Sequence, residues 1–169
     1  MLREGTAMEI RPMEPGDEAG AVAASLSADT LFARAGVVLP PDDPRELFDH
    51  AAVLVAVEDG AVRGLAATVA LDGGVHLEQL AVHADHGRRG IGSALTEAVC
   101  AGAWAAGRPR VTLTTFRDLP WNGPWYAARG FAELPRAEWG AGLRELWERE
   151  EPIRVRPRTA MVRLPGAPV

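Results

Sequence analysis

The chain has 169 residues, 47% of them hydrophobic and 24% charged, the size and composition of one soluble globular domain with a real core. Its 18 basic residues are all arginine; against 23 acidic residues they leave a net charge of −5, which disfavours nucleic acid as the main partner and suits a cationic substrate. No apolar run approaches the roughly 20 residues of a membrane span, no basic and apolar secretion leader is visible, and the single cysteine, Cys100, excludes an internal disulfide, so a cytoplasmic protein of one domain over residues 1–169 is expected.

In chain order, Met1 to Ala7 reads as a flexible leader, with Met8 as an alternative start. Glu9 to Met13 is a first strand, and Pro15-Gly16-Asp17 turns into an Ala-rich helix through about Leu26. Residues 28–50 hold a second, irregular helical region broken at Pro40-Pro41-Asp42-Asp43-Pro44, with Asp42 or Asp43 capping the helix that contains Leu47 and Phe48. Val53 to Val57 is a short buried strand, and Glu58-Asp59-Gly60 signals a hairpin turn. Ala61 to Leu71 puts Leu65, Ala67, Val69 and Leu71 on one face; Asp72-Gly73-Gly74 turns again, and Val75 to Val82 is the next strand. A Gly- and Arg-rich loop then opens into a helix with Ile91, Leu95, Ala98, Val99 and Gly102 on its apolar face and Cys100 packed as a small hydrophobe. Val111 to Thr115 is a strand, Arg136 to Ile153 an amphipathic helix with Leu143, Leu146 and Trp147 at helical spacing, and Thr159 to Leu164 a closing strand. The order predicts an α/β chain with a mixed sheet.

The most informative stretch is Val82-His-Ala-Asp-His-Gly-Arg-Arg-Gly-Ile-Gly-Ser-Ala-Leu95. A strand, a Gly-rich turn and a helix start make an anion site, because the first N–H groups of a helix have no acceptor within it and the dipole puts positive potential there. Gly90 and Gly92 let a phosphate approach the backbone, and Arg88 and Arg89 add charge beside it. A dinucleotide loop would need a third glycine where Leu95 stands, and a P-loop would need a lysine, which the chain lacks. The segment is expected to bind a pyrophosphate.

Leu80-Ala81-Val82 followed by Gly90-Ile91-Gly92 resembles motif A of the GCN5-related N-acetyltransferases, the GNAT superfamily, and Trp125-Tyr126-Ala-Ala-Arg-Gly130-Phe131 is similar to that family's Tyr-x-x-x-Gly-Phe motif. Gly87 stands where the family usually has Gln or Arg, Arg88 where Gly is common, and Leu119 where Asn is frequent, with Asn122 closer to the tyrosine. The resemblance spans roughly residues 8–134. It implies a GNAT-like acyl-CoA N-acyltransferase fold with an extra C-terminal helix, and acetyl-CoA as co-substrate. Contacts to that co-substrate would come from Leu80, Ala81, Val82, Arg88, Arg89, Gly90, Ile91, Gly92, Ser93 and Asn122. It also implies direct attack by an amine within a ternary complex, without a nucleophilic cysteine, and an oxyanion donor on the backbone of the strand holding Leu80 and Ala81, where a bulge parts two strands.

Acyl transfer to an amine requires a neutral nucleophile, a stabilised oxyanion and a protonated leaving thiolate. Glu78 and His76 are the candidate bases, on one face of the strand by its period of two. A carboxylate on this apolar strand is costly unless paired or solvated, so its structural reading is a Glu bonded to Arg or backbone, or exposed at an edge. His76 reads as a surface or supporting residue and is the fallback base. Tyr126, the one tyrosine, is the candidate acid, since the resemblance puts it near the CoA sulfur; its structural reading is packing under the last strands. Arg129 and Phe131 read as structural, and His83 and His86, without a matching Cys or carboxylate cluster, do not make a metal site. Trp121, Asn122 and Trp125 fall where the family builds its acceptor and pantetheine region. The expected function is acetyl transfer from acetyl-CoA to a small-molecule primary amine, by a chain that could form a homodimer. Two alternatives stand: a protein N-acetyltransferase acting on a lysine or N-terminal amine, and a non-catalytic acyl-CoA sensor. Residues 26–50, 116–125 and the C-terminal helix would select the acceptor, and they carry no readable code.

Overall fold

The computed structural model describes residues 7–169, so most of the expected leader, Met1 to Thr6, lies outside the described residues. Seven strands form one sheet in the order β1-β2-β3-β4-β5-β7-β6, with β1 Glu9–Pro12, β2 Ala52–Glu58, β3 Ala61–Leu71, β4 Gly74–Val82, β5 Val111–Phe116, β6 Ala132–Glu133 and β7 Arg158–Arg163. The helices are α1 Glu18–Arg34, α2 Pro44–Phe48, α3 Ile91–Ala105, α4 Gly123–Ala127 and α5 Ala141–Arg149. Two Asp-Gly turns make the β2–β3 and β3–β4 hairpins: Asp59 and Gly60 have φ of 53° and 74°, Asp72 and Gly73 of 50° and 77°, the paired positive angles that match the twist of the flanking strands. β1 pairs with β2 antiparallel, β4 with β5 parallel across the α3 crossover, and β7 antiparallel with both β5 and β6. The sheet is therefore mixed, as the element order implied.

By its contacts the chain divides into two compact units. The first comprises the described residues to Gly36, Asp43–Ala67 and Gln79–Val99. Its core joins Ala21 of α1 to Val53, Val55, Leu65, Ala67 and Ala81 of the strands, with Met13, Leu47 and Phe48 packed at the margin. α1 does not stop near Leu26 but runs 17 residues to Arg34. Nothing between Leu26 and Arg34 is Pro or Gly, and the helix ends where Gly36 adopts a left-handed φ of 74°. The irregular helical region is thus mostly the second half of α1, and only Pro44–Phe48 is a separate helix. Asp43 caps it, accepting from the Arg45 N–H at 3.0 Å. On α3 the buried face runs Ile91, Leu95, Val99, Cys100 and Ala103, and Gly102 is exposed rather than buried.

The second unit comprises Val37–Asp42, Thr68–Glu78 and Cys100–Val169. Here Leu134, Trp139, Leu143, Leu146 and Ala160 form a core flanked by Leu71, Trp147 and Val162. The helix expected from Arg136 to Ile153 is shorter: α5 has nine residues between single 3₁₀ turns at Arg136–Glu138 and Glu151–Ile153. Extended backbone at Gly140 and the imide of Pro152 interrupt it at either end. Its N-cap, Gly140, has no side chain, and the missing acceptor comes from the β3–β4 turn. The Asp72 carboxylate accepts from the Gly142 and Leu143 N–H groups at 2.8 and 2.9 Å.

His76 corrects another expectation. It is 1% exposed, not a surface residue, and its Nδ1 lies 2.8 Å from the Thr112 hydroxyl. The reason is register: Val75 pairs with Val111 and His76 with Thr112, so this part of β4 is interior to the sheet. Glu78, two residues on and beyond that pairing, is exposed. Burial depresses the His76 pKa to about 4.

Two stability predictions follow from these contacts. Asp72→Gly keeps the turn's left-handed backbone and removes the cap, so urea titration should show a loss of about 1–2 kcal/mol, the usual value of a helix cap; an unchanged midpoint would mean that α5 does not depend on Asp72. His76 is held neutral in the fold but titrates near 6.5 when unfolded. The unfolded chain therefore binds more protons between those two values, and stability should be full above pH 6.5 and fall as the pH drops towards 4. The amplitude is on the order of 3 kcal/mol, and His76→Gln should flatten that part of the curve.

Candidate active site

In the first unit β4 carries Leu80, Ala81 and Val82 to the loop. The His83 N–H bonds to the Arg63 carbonyl of β3 at 2.8 Å, and the Ala84 N–H to the Ser27 hydroxyl of α1 at 3.0 Å, so the loop's near end is pinned to two elements. A 3₁₀ turn, Ala84–His86, leads to extended Gly87, left-handed Arg88 with φ of 62° and left-handed Gly90 with φ of 80°. α3 starts at Ile91, which is 2% exposed. The Thr96 hydroxyl, one turn on, donates to the Gly92 carbonyl at 2.8 Å. A Cβ built on Gly90 would meet nothing within 4 Å, so the space before the helix start is open to a group the size of a phosphate. The residues fit a pyrophosphate: backbone turned to either hand, a helix dipole behind it, and arginines at positions 88 and 89.

Arg88 and Arg89, predicted alike, differ. Arg89 donates from Nη2 to Glu58 Oε1 at 2.7 Å, an ion pair with the end of β2. Sequence reasoning missed Glu58, because nothing local marks a residue 31 positions upstream as a partner. Arg88 is exposed and ion-pairs with none of the described residues.

The second unit holds Glu78, His76, Asn122 and Tyr126. α4 begins hard against the end of β5: a Cβ on Gly123 would lie 2.5 Å from the Arg117 carbonyl, which only glycine permits. Asn122 caps this helix by position alone. Its side chain makes no cap bond, and its Oδ1 is buried without a hydrogen-bond partner among the described residues. The Tyr-x-x-x-Gly-Phe spacing has a physical cause. Gly130 turns left-handed with φ of 86°, the Phe131 N–H returns to the Tyr126 carbonyl at 3.2 Å, and the Phe131 ring comes back beneath Tyr126 with centroids 5.5 Å apart. Trp125 meets the other edge of Tyr126 at 5.0 Å, and the Arg129 guanidinium lies 3.6 Å over the Trp125 ring while donating to its carbonyl. Both Arg129 and Phe131, read as structural, thus pack against the aromatic rings of α4. Tyr126 is 8% exposed, and desolvation raises its pKa, so the hydroxyl stays protonated at neutral pH.

Gln79 was not singled out beforehand. Its Nε2 donates to the buried Ser25 hydroxyl of α1 at 2.6 Å. Among the described residues no group of three or more His, Cys, Asp or Glu could hold a metal, and no helix is long and apolar enough to cross a membrane.

Solved structures share the fold at low sequence identity. N-acetylglutamate synthase from Neisseria gonorrhoeae, complexed with coenzyme A and N-acetyl-glutamate, is 17% identical with a TM-score of 0.69, over 95% of this chain and 36% of that one. This chain thus spans about a third of the synthase. PaiA N-acetyltransferase from Thermoplasma acidophilum, in complex with coenzyme A, is 13% identical with a TM-score of 0.70, over 94% of this chain and 99% of that one. The ribosomal-protein-S18-alanine N-acetyltransferase from Escherichia coli is 16% identical with a TM-score of 0.68, over 94% of each chain. A family model described as an acetyltransferase (GNAT) domain matches residues 49–133. Spanning half of the chain and both motifs between Leu80 and Phe131, that match makes the protein a member of the GNAT family of acetyltransferases.

Proposed function

We propose that the protein transfers the acetyl group of acetyl-CoA directly to the primary amine of a small molecule. The observation that carries this reading is the loop from Gly87 to Ile91. Two left-handed residues and an open approach at Gly90, placed at the start of α3 in a GNAT-family chain, make a seat for the cofactor's pyrophosphate. Two of the structures that share its fold are complexes with coenzyme A. The net charge of −5 suits a cationic amine.

The acceptor reaches the protein as an ammonium ion and must lose a proton before attack. Glu78 is an exposed carboxylate on β4 and can take that proton directly or through water. His76 is the poorer candidate, since its ring is buried and its Nδ1 is engaged with Thr112. The β4 backbone at Leu80 and Ala81 would supply the N–H for the developing oxyanion. Tyr126 is protonated across the working pH range and can only donate, which suits it to protonate the departing thiolate. Asn122, with its buried unpartnered carbonyl oxygen, would receive an N–H donor of the cofactor's pantetheine arm.

Binding and turnover test these roles separately. Gly92→Val places a branched side chain in the first turn of α3 and should weaken acetyl-CoA binding at least tenfold, about 1.4 kcal/mol, by calorimetry; unchanged affinity in a folded variant would remove the loop from the cofactor site. Amine-dependent thiol release over a panel of amines and peptides separates the small-molecule reading from a protein acceptor, and binding without release would indicate a sensor.

With a competent amine, Glu78→Gln should slow turnover about 10²-fold with acetyl-CoA binding retained. Tyr126→Phe should slow it too, while acetyl-CoA binding and the melting temperature hold and the shape of the pH–rate profile stays the same. Full-rate turnover in either variant returns that residue to a structural role.

A further inference from the structure

Of the two arginines in the loop before α3, one has its charge engaged by the end of β2. Arg89 lies between the two left-handed residues, Arg88 and Gly90. A non-glycine residue rarely holds such a conformation unless its surroundings over-determine it. The surroundings here are specific. Arg89 Nη2 donates to Glu58 Oε1 at 2.7 Å, and Nη1 lies 3.1 Å from His86 Nδ1. A guanidinium has only donors, so His86 must accept at Nδ1 and carry its proton on Nε2 in this arrangement. The Glu58 side chain is 15% exposed and Arg89 50%. Glu58 is the last residue of β2, next to Val57, which pairs with Glu9 of β1, and just before the Asp59-Gly60 turn. It therefore stands in the β2–β3 hairpin, and the loop it contacts runs on into α3 at Ile91.

We propose that Glu58 is a positioning residue for the cofactor: it latches the pyrophosphate loop through Arg89, so that Arg89 serves as a tether and not as the phosphate's cation. The latch orders residues 87–90 before the cofactor arrives, so that their ordering is not charged against binding. This rests on the proposed acetyl-CoA reading of the loop. It assigns the two neighbouring arginines different work: Arg89 is committed to the protein, and Arg88, which ion-pairs with none of the described residues, is left to meet an anion.

Calorimetric titration with coenzyme A tests it, together with amide hydrogen exchange over residues 87–93. Glu58→Gln should weaken coenzyme A binding roughly fivefold, the scale of a partly exposed ion pair, and speed exchange in the loop. Arg89→Met should do the same, and the double variant Glu58→Gln/Arg89→Met should be no worse than the weaker single one, because the two residues act as a unit. The charge swap Glu58→Arg/Arg89→Glu should restore affinity to within about twofold of wild type. Equal or tighter binding by Glu58→Gln, additive losses in the double variant, or a folded swap that binds more weakly than Arg89→Met would overturn the latch and make Arg89 a direct phosphate ligand. Failure of the wild-type protein to bind coenzyme A would overturn the functional reading and the latch with it. Normal wild-type binding with an insensitive Glu58 overturns the latch alone.

Discussion

Gly64 has no side chain, and α3 uses the space. A Cβ at that position would lie 2.9 Å from the Ala81 carbonyl and 3.2 Å from both the Ile91 and Leu95 side chains. The helix can therefore rest on β3 with Ile91 and Leu95 fully buried, and its first residue is fixed against the sheet. The chain has eight residues, His83 to Gly90, between the end of β4 and the start of α3. Between them the loop spends three residues in a 3₁₀ turn and then reverses through Arg88 and Gly90. The contacts of Arg89 flank the left-handed backbone at Arg88. Where α3 begins is thus a packing result.

Local chemistry was legible in the sequence, and contacts across long separations were not. Asp59-Gly60 and Asp72-Gly73 announced their turns because paired positive φ angles demand those residue types. The Tyr126 to Phe131 motif was legible as a motif, but the helix α4 that it closes was not, although Gly130 turns left-handed at its end. The length of α1 was misread because Ser27, Asp29 and Thr30 look like punctuation, yet they continue the helix, with the Thr30 hydroxyl bonding back to the Ser27 carbonyl at 2.6 Å. The burial of His76 depended on its register with Thr112, and the capping of α5 on Asp72, some 70 residues away. Neither leaves a local mark. The loop before α3 was readable because its turns require particular residue types; Glu58 was not, because an ion-pair partner leaves no local mark.

An all-arginine complement changes how the charges are used. Arg129, Arg136, Arg154 and Arg158 lie over Trp125, Trp139, Trp147 and Phe116, the last three at 5.0, 5.2 and 4.6 Å from the ring centroids. A planar, weakly hydrated guanidinium can stack in this way and still donate at its edge, as Arg154 does to the Trp147 carbonyl. Arg158 is the extreme case: its side chain is 8% exposed, it pairs with Glu150 at 3.1 Å, and the same carboxylate accepts from the Thr114 hydroxyl. That cluster ties the end of α5 to β5 and β7. Pairing a buried charge offsets its desolvation without making the pair a large net stabiliser, so the cluster fixes an arrangement more than it adds stability.

Burial also sorts the candidate proton carriers, because one physical cause acts on them with opposite signs. Desolvation disfavours whichever form is charged. For His76 that is the protonated ring, so its pKa falls to about 4 and the ring is neutral at working pH. For Tyr126 it is the phenolate, so its pKa rises and the phenol is neutral as well. A buried imidazole already engaged with Thr112 is poorly placed to take a proton from an acceptor, whereas a neutral phenol still holds a proton to give. Glu78, on the same strand as His76, is exposed. Transfer to an amine requires one group that gains a proton and another that loses one. In the proposed reading Glu78 would take the first task and Tyr126 the second, while His76 keeps its hydrogen bond with Thr112 between two parallel strands.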